Sequence, residues 1–133
     1  MGVTAVLFEE DFSFIEDDED KISVKIIVIA PTFELASQIN QAAKTVTDRK
    51  CALLIGGAPI KRQIEVLKEK PQIIIGTAAR LVELTRLKKL KTNNVFAIVF
   101  DETDRLVKKE SLEDTENIRN LMPRDVQVIV LPL

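Results

Sequence analysis

Short apolar runs alternate with amphipathic stretches along most of the chain. Five runs rich in Val, Ile and Leu predict β-strands at residues 24–30, 51–55, 72–75, 95–100 and 126–131. Each run is nearly continuous rather than alternating with polar residues, which is typical of parallel strands covered on both faces. The pattern therefore predicts a parallel sheet inside the domain.

The stretches between these runs have the spacing of amphipathic helices. Residues 33–46 place their apolar side chains on one helical face, and Thr32 is predicted to cap this helix. Pro59 suits the first turn of a second helix, Thr77 is predicted to cap a third, and Ser111 is predicted to cap a fourth. The inward positions predicted for the second and third helices are Ile60, Ile64, Leu67, Leu81, Leu84 and Leu87.

Strands that alternate with helices predict an α/β fold with a parallel sheet. In such folds, ligands bind beyond the carboxyl ends of the strands, so the residues that follow each strand carry the most information about function. Four segments follow the first four predicted strands: residues 30–36 (APTFELA), the glycine pair 56–57, residues 76–81 (GTAARL) and residues 101–104 (DETD). Taken singly, each is explained by a capped helix start, a turn or acidic residues near a helix N-terminus.

Taken in order, the four segments resemble the motifs of DEAD-box RNA helicases. The first is similar to motif Ia, the glycine pair to the GG element, the third to motif Ib, and the fourth to motif II, with Thr103 where the family has alanine. The resemblance covers roughly residues 21–131. It implies the first RecA-like domain of such an enzyme, a three-layer α/β/α fold with about five strands in a parallel sheet.

The resemblance also implies roles for individual residues. Asp101 would serve a hydrated Mg²⁺ held with ATP, Glu102 would act on the attacking water, and Asp104 would tie this loop to neighbouring motifs. Helix N-termini and hydroxyl groups suit phosphate oxygens, so the implied RNA binding is independent of base sequence. The residues implied in RNA binding are Pro31, Thr32, Gly56, Gly57, Thr77 and Arg80.

The chain departs from the family pattern in ways that concern nucleotide binding. It contains no Gly-x-x-x-x-Gly-Lys-Ser/Thr stretch, and Val3 stands about where the lysine of that loop would be. The adenine-recognition segment and the Ser-Ala-Thr motif are also absent, and Phe33 replaces the usual motif Ia arginine. Mg-ATP is the implied cofactor of the parent family, but this chain alone is expected to bind no nucleotide tightly, which would leave motif II catalytically silent.

The absence of the phosphate loop also implies loss of the strand that precedes it in the family, which is expected to expose an edge of the sheet. Residues 3–8 either fill this place as a strand or form the helix that follows the loop. Residues 1–23 are interpreted as an acidic N-terminal segment and residues 24–131 as the α/β body. Residues 1–20 hold eight acidic side chains and no basic ones, so the remaining 113 residues have a net charge of +6.

Composition excludes several other classes of protein. A single cysteine, Cys51, forms no internal disulfide, and without histidine there is no Cys/His zinc site. No apolar run is long enough to span a bilayer, and a cytoplasmic location is expected.

The preferred interpretation is a degenerate or partial domain of an ATP-dependent RNA-remodelling enzyme, cut from a longer protein or occurring naturally. Its expected partners are single-stranded or duplex RNA, bound weakly, and a second RecA-like domain. The alternatives are a non-catalytic module that binds RNA or protein, and an unrelated parallel α/β enzyme.

Overall fold

The computed structural model of the chain describes residues 23–101 and 109–131. The expectations for residues 1–22, Glu102, Thr103 and Asp104 lie outside these ranges. Strands and helices alternate, as the hydrophobic pattern predicts: β1 (Ile26–Ile29), α1 (Phe33–Val46), β2 (Cys51–Leu54), α2 (Ile60–Leu67), β3 (Ile73–Gly76), α3 (Ala78–Arg86), β4 (Ala97–Asp101), α4 (Lys109–Asn120) and β5 (Gln127–Leu131).

The five described strands form one sheet in the order β2-β3-β1-β4-β5, and every neighbouring pair is parallel. Val28 in the central strand lies opposite Ile75 on one side and Val99 on the other. The predicted parallel α/β fold is therefore confirmed. The first strand is shorter than predicted, because Ile26–Ile29 alone has ladder geometry within the buried run of residues 24–30.

Helices cover both faces of the sheet and complete a three-layer arrangement. On one face, α1 buries Ala36, Ile39 and Ala43 against one set of strand side chains. On the other face, α2, α3 and α4 pack against the alternate side chains of the same strands, with Leu81 and Ile118 fully buried. Because successive strand residues point to opposite faces, two covered faces account for the nearly continuous apolar runs.

Two of the predicted helix details are wrong. Leu87 was expected to face inward but is 51% exposed, because α3 ends at Arg86 and the chain turns away at Lys88, where φ is 60°. Leu90, beyond this turn, is buried instead. Ser111 was expected to cap the fourth helix but lies inside it, because α4 includes Lys109.

Strand β5 lies at one edge of the described sheet, where β4 is its neighbour. Its residues are either exposed or half-buried, and Val130 is 50% exposed although its side chain is apolar. Within the described ranges, no helix is long and apolar enough to cross a membrane.

Candidate functional site

The segments after β1, β3 and β4 converge because these three strands are neighbours in the sheet. They enclose a cavity of about 210 Å³ at the carboxyl ends of the strands. Pro31 lines it from the β1 side, Thr77 from the β3 side, and Asp101 from the end of β4, while Asp114 and Thr115 of α4 close another side. Three of the residues singled out from the sequence therefore share one cavity.

An adjoining groove of about 630 Å³ contains a second set of predicted residues. Gly56, Thr77 and Arg80 line it, together with Arg86 and Asp114. Thr77 and Asp114 line both spaces, so the cavity and the groove lie next to each other. The cavity and groove linings do not include Thr32, which precedes α1, or Gly57, which follows Gly56 in the turn after β2.

The two predicted threonine caps differ in what their hydroxyl groups do. Thr32 has extended backbone geometry at the start of α1, and its Oγ1 accepts a hydrogen bond from the amide of Leu35 at 3.2 Å. Thr77 is the N-cap residue of α3, as predicted, but its side chain makes no capping bond. Its backbone amide instead donates to the carbonyl of Leu54 at 3.3 Å.

The glycine pair forms an exposed turn between β2 and α2. Gly57 has φ of +88°, a conformation that glycine adopts without steric cost. Neither glycine meets another atom within 4 Å of the place where a side chain would begin. The turn thus presents bare backbone beside the groove.

Arg80 is held firmly by neighbouring groups, and its side chain is only 13% exposed. Its Nη1 donates to the carbonyl of Ala58 and to Oε1 of Gln63, both at 2.9 Å. Its Nε lies 3.0 Å from Oε1 of Glu83. These bonds fix the guanidinium group at the wall of the groove and tie α3 to the turn after β2.

Gln63 supports the wall of the groove through Arg80, although the sequence alone did not single it out. It lies on α2 at the spacing of the predicted inward residues Ile60, Ile64 and Leu67, so a polar residue on an apolar helical face was the available signal. Its side chain is buried and bonds to both the turn and Arg80. Asp114 was also missed, because only the fold brings α4 to the ends of β3 and β4.

The described residues do not by themselves form a metal site. Asp101 supplies one partly exposed carboxylate, and the predicted partners Glu102 and Asp104 lie outside the described ranges. Within the described ranges, no group of three or more Cys, His, Asp or Glu side chains is placed to hold a metal ion. The chain has no phosphate-loop sequence, so these residues alone do not supply the groups that would hold Mg-ATP.

Residues 4–131 match the family model described as DEAD/DEAH box helicase. The chain is 42% identical over 108 residues to the DEAD-box ATP-dependent RNA helicase CshC of Bacillus cereus. It is 43% identical over 106 residues to the probable ATP-dependent RNA helicase YfmL of Bacillus subtilis. These matches cover 79% and 77% of the chain but 28% of each relative, so the chain spans less than a third of their length.

Solved structures show the same fold. A DEAD box protein from Methanococcus jannaschii matches with a TM-score of 0.76 at 27% identity, over 90% of this chain and 34% of that protein. Dbp5 of S. cerevisiae, solved bound to RNA and ADP BeF3, matches with a TM-score of 0.77 at 22% identity, over 98% of this chain and 32% of that protein.

Proposed function

Because the chain belongs to the DEAD/DEAH box helicase family, we propose that it forms the RNA-contacting part of a first RecA-like domain, in an enzyme that uses ATP hydrolysis to remodel RNA. The observation that carries this proposal is the convergence of Gly56, Thr77 and Arg80 on one groove beside Asp101. Exposed turn backbone, a hydroxyl group not used in capping and a fixed guanidinium group are suited to a sugar-phosphate chain. The relatives CshC and YfmL are both named as ATP-dependent RNA helicases, which favours this proposal over a non-catalytic interaction module.

Binding of RNA by this chain is proposed to be weak and indifferent to base sequence. Pro31, Thr32, Gly56, Gly57, Thr77 and Arg80 are the proposed contacts. Backbone amides, hydroxyl groups and a guanidinium group that contact phosphates carry no base information. A second RecA-like domain would supply the remaining contacts in a longer enzyme, and cytoplasmic RNA is the proposed setting.

Hydrolysis of ATP is not proposed for this chain alone. Asp101 is the proposed metal-facing carboxylate of motif II, with Glu102 and Asp104 as its partners, and Mg-ATP is the proposed cofactor of the longer enzyme. Without a phosphate-loop lysine and its backbone amides, binding should be weakened by several tenfold steps, each about 1.4 kcal/mol. Isothermal titration with Mg-ATP should therefore show no dissociation constant in the low micromolar range.

The RNA proposal is tested by fluorescence anisotropy with labelled single strands of unrelated sequence at several salt concentrations. Arg80→Ala should weaken binding equally for all strands and reduce the slope of log affinity against log salt by about one unit. Arg124→Ala is the control, because Arg124 is an exposed arginine that precedes β5, at the opposite end of the sheet. A strong preference for one strand, or an unchanged slope for Arg80→Ala, would count against the proposal.

A further inference from the structure

Among the described residues, Gln63 is one of three polar or charged side chains that are buried in the domain. It is 4% exposed and lies in the middle of α2, on the face that packs against the sheet. A buried amide group costs free energy unless its donor and acceptor are both used. The bonds that Gln63 makes therefore explain its place in the core.

Both ends of the Gln63 amide are used at the glycine turn. Its Nε2 donates to the carbonyl of Ile55 at 2.9 Å, and its Oε1 accepts from Nη1 of Arg80 at 2.9 Å. The same Arg80 nitrogen donates to the carbonyl of Ala58. Ile55 and Ala58 flank Gly56 and Gly57, so the turn is held on both sides by one connected set of hydrogen bonds.

Only some side chains satisfy these two neighbours. The carbonyl of Ile55 needs a donor, and the guanidinium group of Arg80 needs an acceptor. Glutamate of the same length provides the acceptor but no donor when ionised, and methionine provides no donor and only a weak acceptor. The amide of Gln63 provides both from one buried position.

We propose that Gln63 is a positioning residue for RNA binding, which fixes the exposed Gly56–Gly57 turn relative to Arg80. This inference rests on the proposed function, because it assumes that the turn and Arg80 contact the RNA backbone. Glycine residues have the greatest backbone freedom, and ordering such a turn upon binding would cost affinity. Gln63 removes that cost in advance, because it holds the Ile55 carbonyl directly and orients the Arg80 nitrogen that holds the Ala58 carbonyl.

A positioning role and a purely structural role differ in what they predict for binding. If the bonds only stabilise the fold, their loss lowers the free energy of unfolding but leaves the RNA affinity of the folded protein unchanged. If they position the turn, affinity falls in protein that is still folded. Because Gln63 is buried and would touch no phosphate, the salt dependence of binding should not change, in contrast to Arg80→Ala.

The test compares Gln63→Met with wild type and with Gln38→Met, which makes the same chemical change at an exposed position on α1. Anisotropy is measured with labelled single-stranded oligouridine, under conditions where circular dichroism shows each variant folded. Gln63→Met should bind about 5- to 30-fold more weakly, as expected for the loss of two hydrogen bonds that order the turn, with an unchanged salt slope. Gln38→Met should bind like wild type.

Gln63→Glu provides a second test of the same proposal. It replaces Gln63→Met in the comparison if Gln63→Met does not fold. It keeps an acceptor for Arg80 but loses the donor to Ile55, so its affinity should fall between those of wild type and Gln63→Met. Wild-type affinity in both variants, together with a flattened salt slope for Arg80→Ala, would overturn the role of Gln63 and leave the proposed function intact. Absence of RNA binding by the wild-type chain would overturn both.

Discussion

Gly76→Ala is expected to destabilise the domain because there is no room for a side chain at this position. Gly76 ends β3 and lies opposite Leu54 of β2 and Ile29 of β1. A Cβ atom there would overlap the carbonyl oxygen of Leu54 and lie 3.3 Å from Cδ2 of Leu81. A backbone carbonyl in a strand does not rotate aside as a side chain does, so β2 would have to move away from β3.

The other two described glycines, Gly56 and Gly57, allow the cost of steric overlap to be separated from the cost of an unfavourable backbone conformation. Overpacking in a core typically costs about 1–3 kcal/mol, and a clash with backbone belongs at the upper end, so we expect about 3 kcal/mol for Gly76→Ala. At Gly57 there is open space for a side chain, but φ is +88°. This left-handed conformation costs a non-glycine residue about 1–2 kcal/mol, so Gly57→Ala should lose about that much. Gly56→Ala has open space and no positive φ, so its effect should stay within about 0.5 kcal/mol.

Urea unfolding followed by circular dichroism measures all three variants against wild type. The free energy of unfolding should fall most for Gly76→Ala, less for Gly57→Ala and hardly at all for Gly56→Ala, with similar urea dependence in each case. If Gly76→Ala were no more costly than Gly56→Ala, β2 and β3 would not approach each other as closely as described, and the argument from close packing would be refuted.

Two further predictions concern Thr32 and Cys51. Thr32→Ala should lower the free energy of unfolding by about 1 kcal/mol in urea, because it removes a capping bond, whereas Thr77→Ala should have a smaller effect; equal losses would contradict the assigned caps. Burial raises the pKa of the Cys51 thiol, and the nearby Lys44 offsets this only in part. Because the thiol binds its proton more tightly in the folded than in the unfolded protein, it contributes to stability. This contribution is complete below the ordinary thiol pKa and is lost as pH rises through the raised pKa. Unfolding of wild type and Cys51→Ala across alkaline pH should therefore show a steeper loss for wild type, and parallel profiles would contradict this.

Much of the fold follows from local patterns that the sequence contains. The predicted helix at residues 33–46 has the observed bounds of α1, since Thr32 supplies a capping oxygen and the apolar spacing continues without interruption to Val46. Each of the five described strands lies in or beside a predicted apolar run. The strand order, by contrast, depends on which strands meet across the sheet, and a single sequence without co-varying positions carries no signal for that choice.

Part of the cavity lining was predictable, where residues end a strand or closely follow one. Pro31, Thr77 and Asp101 were found in this way, because the carboxyl ends of parallel strands lie at one edge of the sheet. Gln63 and Asp114 belong to helices and reach the site through packing, so their neighbours in sequence say little about their role. The exposure of Leu87 was also missed, because the left-handed turn at Lys88 ends the helix without a glycine or proline to mark it.

The close approach that requires Gly76 also bears on the site. Thr77 follows this glycine, and its amide donates to the same Leu54 carbonyl that a side chain at residue 76 would displace. Thr77 lines both the cavity and the groove, so a shift of β2 away from β3 would move a wall common to both. If RNA contacts the groove as proposed, Gly76→Ala should therefore weaken RNA binding even in protein that remains folded. The packing between β2 and β3 would then set the geometry of the binding surface.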